Sequence, residues 1–152
     1  MGWLQLMGNA MEHVFVYGTL KRGQCREGSW PKAAALIRSA WTRGQLLDLG
    51  PYPALVVGDD RVRGELWSFA ADDMATVVNR LDRIEVTNQP GLVNEYDRVS
   101  VAVTLDNGQT LSAQAYRLSD QQPAPALRPM AASVVVVGQP YVVWPASVGT
   151  VI

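Results

Sequence analysis

The sequence has one cysteine and one histidine in 152 residues. A lone cysteine, Cys25, cannot form an intrachain disulfide, which favours a reducing compartment and predicts a cytoplasmic location. His13 cannot supply the usual His/Cys ligand set of a zinc site, so we expect no metal. Nothing in the pattern places His13 beside Cys25, and a Cys/His nucleophile therefore has no support.

The sequence also lacks an excess of one charge, a long apolar run and a nucleotide-binding motif. Its formal net charge is −1 and no basic stripe is present, which argues against nucleic acid as a partner. Apolar runs such as Val134–Val137 are of strand length, far below the ~20 residues of a membrane helix. No glycine-rich phosphate loop opens a helix, and Gly-x-Ser-x-Gly is absent, so we expect no nucleotide cofactor and no serine nucleophile.

The pattern predicts many strands and one strong helix. Residues 1–12 carry no Lys or Arg, which argues against a signal peptide, and we interpret them as a flexible extension before one domain over 13–152. Asp106-Asn107-Gly108 is the clearest hairpin turn. Strands are expected at 13–17, 40–49, 54–57, 62–69, 96–105, 110–118, 134–137 and 141–144, with a turn at Asp59-Asp60 and a short helix at 31–37 begun by Pro31. This composition is typical of an α+β domain built on a small closed or nearly closed mixed β-barrel, flanked by one or two main helices.

The strong helix brings one carboxylate to its apolar face. Met74, Val77, Val78, Leu81 and Ile84 recur at helical spacing after Asp72 or Asp73, either of which can cap the N-terminus. Glu85 falls on the same stripe at the C-terminal end, where burial and the helix dipole both raise the pKa of a carboxyl group. A general acid/base residue needs such a pKa. The alternative is that the helix ends earlier and Glu85 faces solvent or pairs with Arg83 or Arg98.

The first strand ends abruptly in a glycine-led loop. Tyr17, Gly18, Thr19 and Leu20 follow the apolar run 14–16, and their backbone N–H groups can hold an anion or a developing oxyanion. Gly18 permits either a close approach or a positive φ angle. The alternative is an ordinary strand-to-loop turn. Lys21 and Arg22, next in the chain, either attract an anionic substrate or form a solvated loop.

Five stretches together resemble the γ-glutamylcyclotransferase-like family, which includes the AIG2-like proteins and γ-glutamylamine cyclotransferases. They include Tyr-Gly-Thr-Leu at 17–20 and Leu-Asp-Arg-Ile-Glu at 81–85, and they appear in the family's order at 14–23, 46–56, 62–67, 81–85 and 96–99. The resemblance implies a small barrel with a cavity beside the 17–20 loop, which cradles the substrate. It implies Glu85 as the catalytic residue, and it places Tyr52 and Tyr96 at the cavity rim.

The activity implied by the resemblance is conversion of a γ-glutamyl amide to 5-oxoproline and a free amine, without cofactor. The partner would be a small γ-glutamyl substrate whose amine part the sequence does not identify. Val86 stands where the family often has glycine, so we expect the loop that shapes the cavity to differ. A non-catalytic metabolite-binding module or scaffold on the same fold is the alternative function. The apolar stretch from Val134 to Trp144 either completes the barrel or forms a homodimer contact.

Overall fold

A five-stranded closed barrel forms the centre of the molecule, and one α-helix covers part of its outer surface. The computed structural model describes residues 11–120 and 128–146. Its elements are β1 (Met11–Val16), a short 3-10 helix (Glu27–Ser29), β2 (Leu36–Asp48), β3 (Pro53–Ala70), α1 (Ala71–Ile84), β4 (Tyr96–Leu105), β5 (Thr110–Leu118), β6 (Val134–Val136) and β7 (Gln139–Tyr141). Residues 1–10 of the predicted extension lie outside the described part.

The barrel is mixed because one strand pair is parallel. The strand order is β1-β3-β2-β4-β5, and Val14 of β1 pairs in parallel with Gln114 of β5 to close it. The other barrel pairs are antiparallel, including the β4–β5 hairpin whose turn contains Asp106-Asn107-Gly108. The predicted α+β fold with a closed mixed barrel and one main helix is confirmed.

The second half of β1, Val14–Val16, is apolar because both of its faces are buried. Phe15 and Tyr17 point into the barrel core, together with side chains such as Leu46 and Leu66. Val14 and Val16 point outwards, where they join the apolar face of α1 in a second core that includes Met74, Val77 and Leu81. A strand buried on both faces loses the polar alternation of a half-exposed one. The end of β1 is therefore fixed between the barrel interior and the helix.

Two predicted local elements are wrong because long-range pairing overrides local preference. Residues 31–37 form no helix: β2 begins at Leu36 opposite Ser68, and the N–H of Ala35 donates to the Ser68 carbonyl. Asp59-Asp60 is no turn between strands but lies inside the 18-residue β3. The register shifts there between Gly44 and Gln45, so that 57–59 bulge out opposite β2.

The helix starts without the predicted side-chain cap. Ala70 occupies the N-cap position, and Asp72 and Asp73 lie in the first turn, where their charge still suits the helix dipole.

Within residues 11–120 and 128–146, no helix is long and apolar enough to cross a membrane. The cytoplasmic location stays a prediction.

The C-terminal strands do not complete the barrel as one interpretation expected. β6 and β7 form a separate two-stranded sheet. Val142, just after β7, joins it to the barrel: its N–H donates to the Arg61 carbonyl, and its carbonyl accepts from the N–H of Arg63. The homodimer interpretation of this stretch stays a prediction.

The barrel wall leaves no room for a side chain at Gly64 in β3. A Cβ atom there would lie 2.3 Å from the Val16 carbonyl oxygen and 2.9 Å from the Phe15 ring. We expect Gly64→Ala to lower the free energy of unfolding by about 2–3 kcal/mol, since overpacking a core forces backbone shifts. Urea unfolding followed by tryptophan fluorescence measures the change. Gly28→Ala is the control, because no atom lies within 4 Å of its Cβ position; equal effects of both substitutions would contradict the prediction.

Candidate active site

One cavity brings together the residues that the sequence analysis selected. It opens between the end of β1, the β2–β3 turn and the C-terminus of α1, with about 640 Å³ of empty space including the solvent at its mouth. Its wall includes all seven predicted site residues: Tyr17, Gly18, Thr19, Leu20, Tyr52, Glu85 and Tyr96.

In the 17–20 loop the carbonyl groups accept hydrogen bonds within the protein, whereas the amide N–H groups remain available beside the cavity. The carbonyls accept from donors of the following segment: Gly18 from the Lys21 N–H at 3.1 Å, Thr19 from the Arg26 N–H at 2.9 Å, and Leu20 from the Trp30 indole at 3.0 Å. Among the described residues we find no acceptor for the N–H groups of Gly18, Thr19 and Leu20. Three unpaired amides beside a cavity form an anion-binding arrangement.

Glycine is needed at position 18 because the backbone there lies close to Pro53, not because it has a positive φ. A Cβ atom at this position would lie 2.9 Å from the ring of Pro53, on the opposite side of the cavity wall. The loop can therefore pack against the β2–β3 turn only with glycine here.

Lys21 and Arg22 hold the loop in place by contacts within the protein. Glu65 of β3 accepts from the Arg22 N–H at 2.9 Å and from its Nε at 3.0 Å. The Lys21 ammonium donates to the Trp144 carbonyl at 2.5 Å. Both side chains thus help to hold the loop in place, although Arg22 stays exposed, as expected for a solvated loop. Attraction of an anionic substrate by these residues stays a prediction.

Glu85 lines the cavity although the helix ends one residue before it. It occupies the C-cap position, with its N–H donating to the Leu81 carbonyl at 2.9 Å. The expected alternative partner, Arg98, instead pairs with Asp82 at 3.0 Å. Burial raises the pKa of Glu85 to about 7; the nearby Arg26 guanidinium opposes this rise and the charge of Glu95 adds to it. Its carboxyl group therefore exchanges a proton near neutral pH.

The buried tyrosines of the cavity donate their hydroxyl protons away from Glu85. The Tyr17 hydroxyl donates to the Tyr116 carbonyl, that of Tyr96 to the Pro53 carbonyl at 3.2 Å, and that of Tyr116 to Asp82 at 2.6 Å. Burial raises the pKa of all three phenols, so they stay protonated at neutral pH. Because no phenol donates to Glu85, its carboxylate gains no hydrogen bond from them that would lower its pKa.

The mouth of the cavity contains residues of a different character. Tyr52 is 43% exposed, and Arg26 and Glu95 are exposed at the same rim.

The sequence analysis missed three polar residues of the cavity wall: Arg26, Glu95 and Tyr116. Arg26 and Glu95 lie in polar connecting segments, and Tyr116 lies inside an otherwise unremarkable strand, β5. Only the folded chain brings them to the wall that carries Glu85.

The loop after Glu85 keeps a glycine-like backbone although it begins with valine. Val86 has φ +52°, in the left-handed region. The Thr87 N–H donates to the Asp82 carbonyl at 2.8 Å and the Val86 N–H to the Arg83 carbonyl at 3.4 Å, the pair of bonds of a Schellman helix end. The fold therefore holds a β-branched residue in the left-handed region, where its backbone is strained. The expectation that this loop differs from the family's loop stays a prediction.

The barrel, the helix and this cavity define a class of protein. The profile of the family "gamma-glutamyl cyclotransferase, AIG2-like" matches residues 14–134, and the chain belongs to this family. The resemblance inferred from the sequence is thereby confirmed.

Known relatives agree with this membership. The chain is 32% identical over 103 residues to the γ-L-glutamyl-butirosin B γ-glutamyl cyclotransferase of Niallia circulans, a match that covers 66% of this chain and 64% of that protein. It therefore spans less than two thirds of that relative's length. YkqA from Bacillus subtilis superposes with a TM-score of 0.53 at 25% identity, over 71% of this chain and 36% of YkqA. An AIG2-like protein from Mus musculus shares the fold, with a TM-score of 0.55 at 24% identity over 76% of this chain and 82% of that one.

The raised pKa of Glu85 predicts a pH-dependent stability. Between pH 4.5, its ordinary pKa, and about 7, the folded protein binds more protons at this site than the unfolded chain. The free energy of unfolding contributed by Glu85 therefore falls as the pH rises through this window. We expect Glu85→Gln to be more stable than the wild type by about 2 kcal/mol at pH 8 and to lose this advantage below pH 5. Urea unfolding at several pH values measures the difference; a difference independent of pH would contradict the prediction.

The strain at Val86 predicts that glycine is better tolerated there than alanine. Both substitutions remove the two γ-methyl groups, but only glycine also removes the Cβ atom that disfavours a positive φ. We expect Val86→Gly to exceed Val86→Ala in free energy of unfolding by about 1 kcal/mol, the scale of the left-handed penalty. Thermal and urea unfolding of the two variants give this difference. An alanine variant as stable as the glycine variant would show that φ at this position is not strained.

Proposed function

We propose that the protein converts a γ-glutamyl amide or amine conjugate to 5-oxoproline and a free amine, with Glu85 as the general acid/base. The observation that carries the proposal is the placement of one titrating carboxyl group and the amides of residues 18–20 on the wall of the same cavity. Within 11–120 and 128–146 these amides have no acceptor. The family membership and the named activity of the curated relative support it.

The reaction needs no nucleophile from the protein. The substrate's α-amine attacks its own γ-carbonyl carbon, which forms the new C–N bond and moves the carbonyl electron pair onto oxygen. When the oxyanion collapses, the original amide C–N bond breaks and the amine leaves. No water is consumed, and the two products together contain all the atoms of the substrate. Since the ring closes within one molecule, holding the chain in a curled conformation supplies much of the acceleration.

Glu85 moves the proton that this reaction requires. The α-amine cannot attack as an ammonium ion, so the Glu85 carboxylate first accepts a proton from it. The resulting carboxylic acid then donates this proton to the departing nitrogen. The regenerated carboxylate accepts the second proton of the attacking nitrogen, which becomes the ring N–H, and this proton leaves with the amine as its ammonium ion. A pKa of about 7 suits both directions of transfer at neutral pH.

The loop amides and Arg26 provide the positive potential. The N–H groups of residues 18–20 would hold the α-carboxylate or the oxyanion, and a fixed backbone stabilises such charge without reorganisation. Arg26 lies at the same wall and favours the ionised form of Glu85. An anionic substrate group is attracted to this end of the cavity for the same reason.

Release of 5-oxoproline from a panel of γ-glutamyl amides tests the proposal directly. We expect wild-type turnover to fall about 10²-fold or more in Glu85→Gln, the scale of general acid–base catalysis. We also expect kcat/KM to decline below about pH 7, because the protonated carboxyl group cannot act as the base.

Glu95→Gln is the matched control, since Glu95 is the other carboxylate on the cavity wall but is exposed. It should change turnover less than about tenfold, with a slightly lower pH midpoint because the charge of Glu95 raises the pKa of Glu85. A fully active Glu85→Gln variant would overturn the assignment of Glu85. A folded wild type inactive on the whole panel would favour the alternative of a metabolite-binding module or scaffold.

A further inference from the structure

Thr87 is a buried polar residue in the loop that follows Glu85, and the reaction steps above do not use it. It is 1% exposed. Its N–H donates to the Asp82 carbonyl at 2.8 Å, its hydroxyl donates to the Tyr96 carbonyl at 2.6 Å, and its own carbonyl accepts from the Gln89 side chain at 2.8 Å. Three hydrogen bonds thus fix one side chain and its backbone.

The backbone of Thr87 fixes the helix end that carries Glu85. The bond from its N–H to the Asp82 carbonyl spans the C-cap, so Glu85 lies inside the closed turn. A shift of Thr87 would move this turn and the Glu85 side chain with it.

The hydroxyl of Thr87 fixes the start of β4, which carries Tyr96. The Ser119 N–H donates to the Glu95 carbonyl at 3.0 Å, so Glu95 and Ser119 form a hydrogen-bonded pair at the end of the β4–β5 ladder. Pairs alternate in an antiparallel ladder, so the Tyr96 carbonyl, next along the strand, points away from β5. The Thr87 hydroxyl donates to this carbonyl, and the ring of Tyr96 lies on the cavity wall.

We propose that Thr87 is a positioning residue, whose hydroxyl sets the placement of Glu85 relative to Tyr96 across the cavity. As a role in the reaction, this rests on the proposed function. Thr87 touches neither the substrate nor the reacting atoms; it acts through the helix end on one side and the start of β4 on the other. The hydroxyl is essential to this role because the methyl group cannot donate to the Tyr96 carbonyl.

Two matched pairs of variants separate the hydroxyl from the packing of the side chain. Thr87→Val keeps the branched shape and the N–H but removes the donor, while Thr87→Ser keeps the donor and removes the methyl group. We expect kcat to fall about tenfold or more in Thr87→Val with KM changed much less, since a displacement of ~1 Å can cost 10²-fold in rate. Thr87→Ser should stay within about threefold of the wild type. Rates are normalised to the folded fraction measured by circular dichroism.

Thr87→Ala against Thr87→Ser is the second pair, for use if the valine variant does not fold. These two differ only by the hydroxyl group, and the serine variant should be the more active by the same factor. Serine and alanine variants of equal activity, or a folded valine variant with wild-type kcat, would overturn the proposal.

A titration of the Glu85 carboxyl group by ¹³C NMR tests the positioning independently of the reaction. We expect its midpoint to move to lower pH in Thr87→Ala relative to Thr87→Ser, because a loosened helix end admits water to the carboxyl group. Identical midpoints in the two variants would contradict the proposal. An inactive wild type together with shifted midpoints would instead reject the proposed function and leave the positioning intact.

Discussion

The hydrogen bonds around the cavity are directed away from its centre, and the chemistry of Glu85 depends on this arrangement. The Tyr17 hydroxyl donates to the Tyr116 carbonyl, and the Tyr116 hydroxyl donates to Asp82. On the other side, Thr87 bonds the Tyr96 carbonyl. Each of these donors is used by the protein itself, so none of the three donates a hydrogen bond to the Glu85 carboxyl group. Its raised pKa follows from desolvation rather than from a dedicated partner.

This arrangement lowers stability at the place where the proposed chemistry occurs. A carboxylate that the fold partly desolvates, and a valine with a positive φ beside it, are both unfavourable in the folded state. They persist because the surroundings fix them: the Schellman bonds close the helix end, and α1 packs its apolar face onto β1 in the second core. The strain is therefore held by the same elements that position the carboxyl group. Proteins commonly concentrate such strain at functional sites.

The sequence predicted those features that local pattern alone determines. The β1 run, the helical spacing up to Ile84 and the Asp106-Asn107-Gly108 turn each depend on neighbours close in the chain. The continuous β3 and the start of β2 at Leu36 could not be predicted, because pairing between distant strands decides both. The same holds within the site. Glu85 could be selected from its helical stripe, whereas the contributions of Arg26 and Thr87 arise only when loops distant in sequence meet.

The cavity has a closed part and an open part, and they constrain a ligand to different degrees. Tyr17, Tyr96 and Tyr116 are buried and held by hydrogen bonds, while Tyr52, Arg26 and Glu95 are exposed at the mouth. Fixed groups discriminate strongly because a mismatched ligand leaves buried polar atoms unpaired, whereas exposed side chains adapt. Under the proposed function, the γ-glutamyl group belongs in the closed part beside Glu85 and the loop amides, and the leaving amine belongs at the mouth. The cavity then selects the γ-glutamyl group more strictly than it selects the leaving amine. This agrees with the general rule that proteins of one fold need not share one substrate.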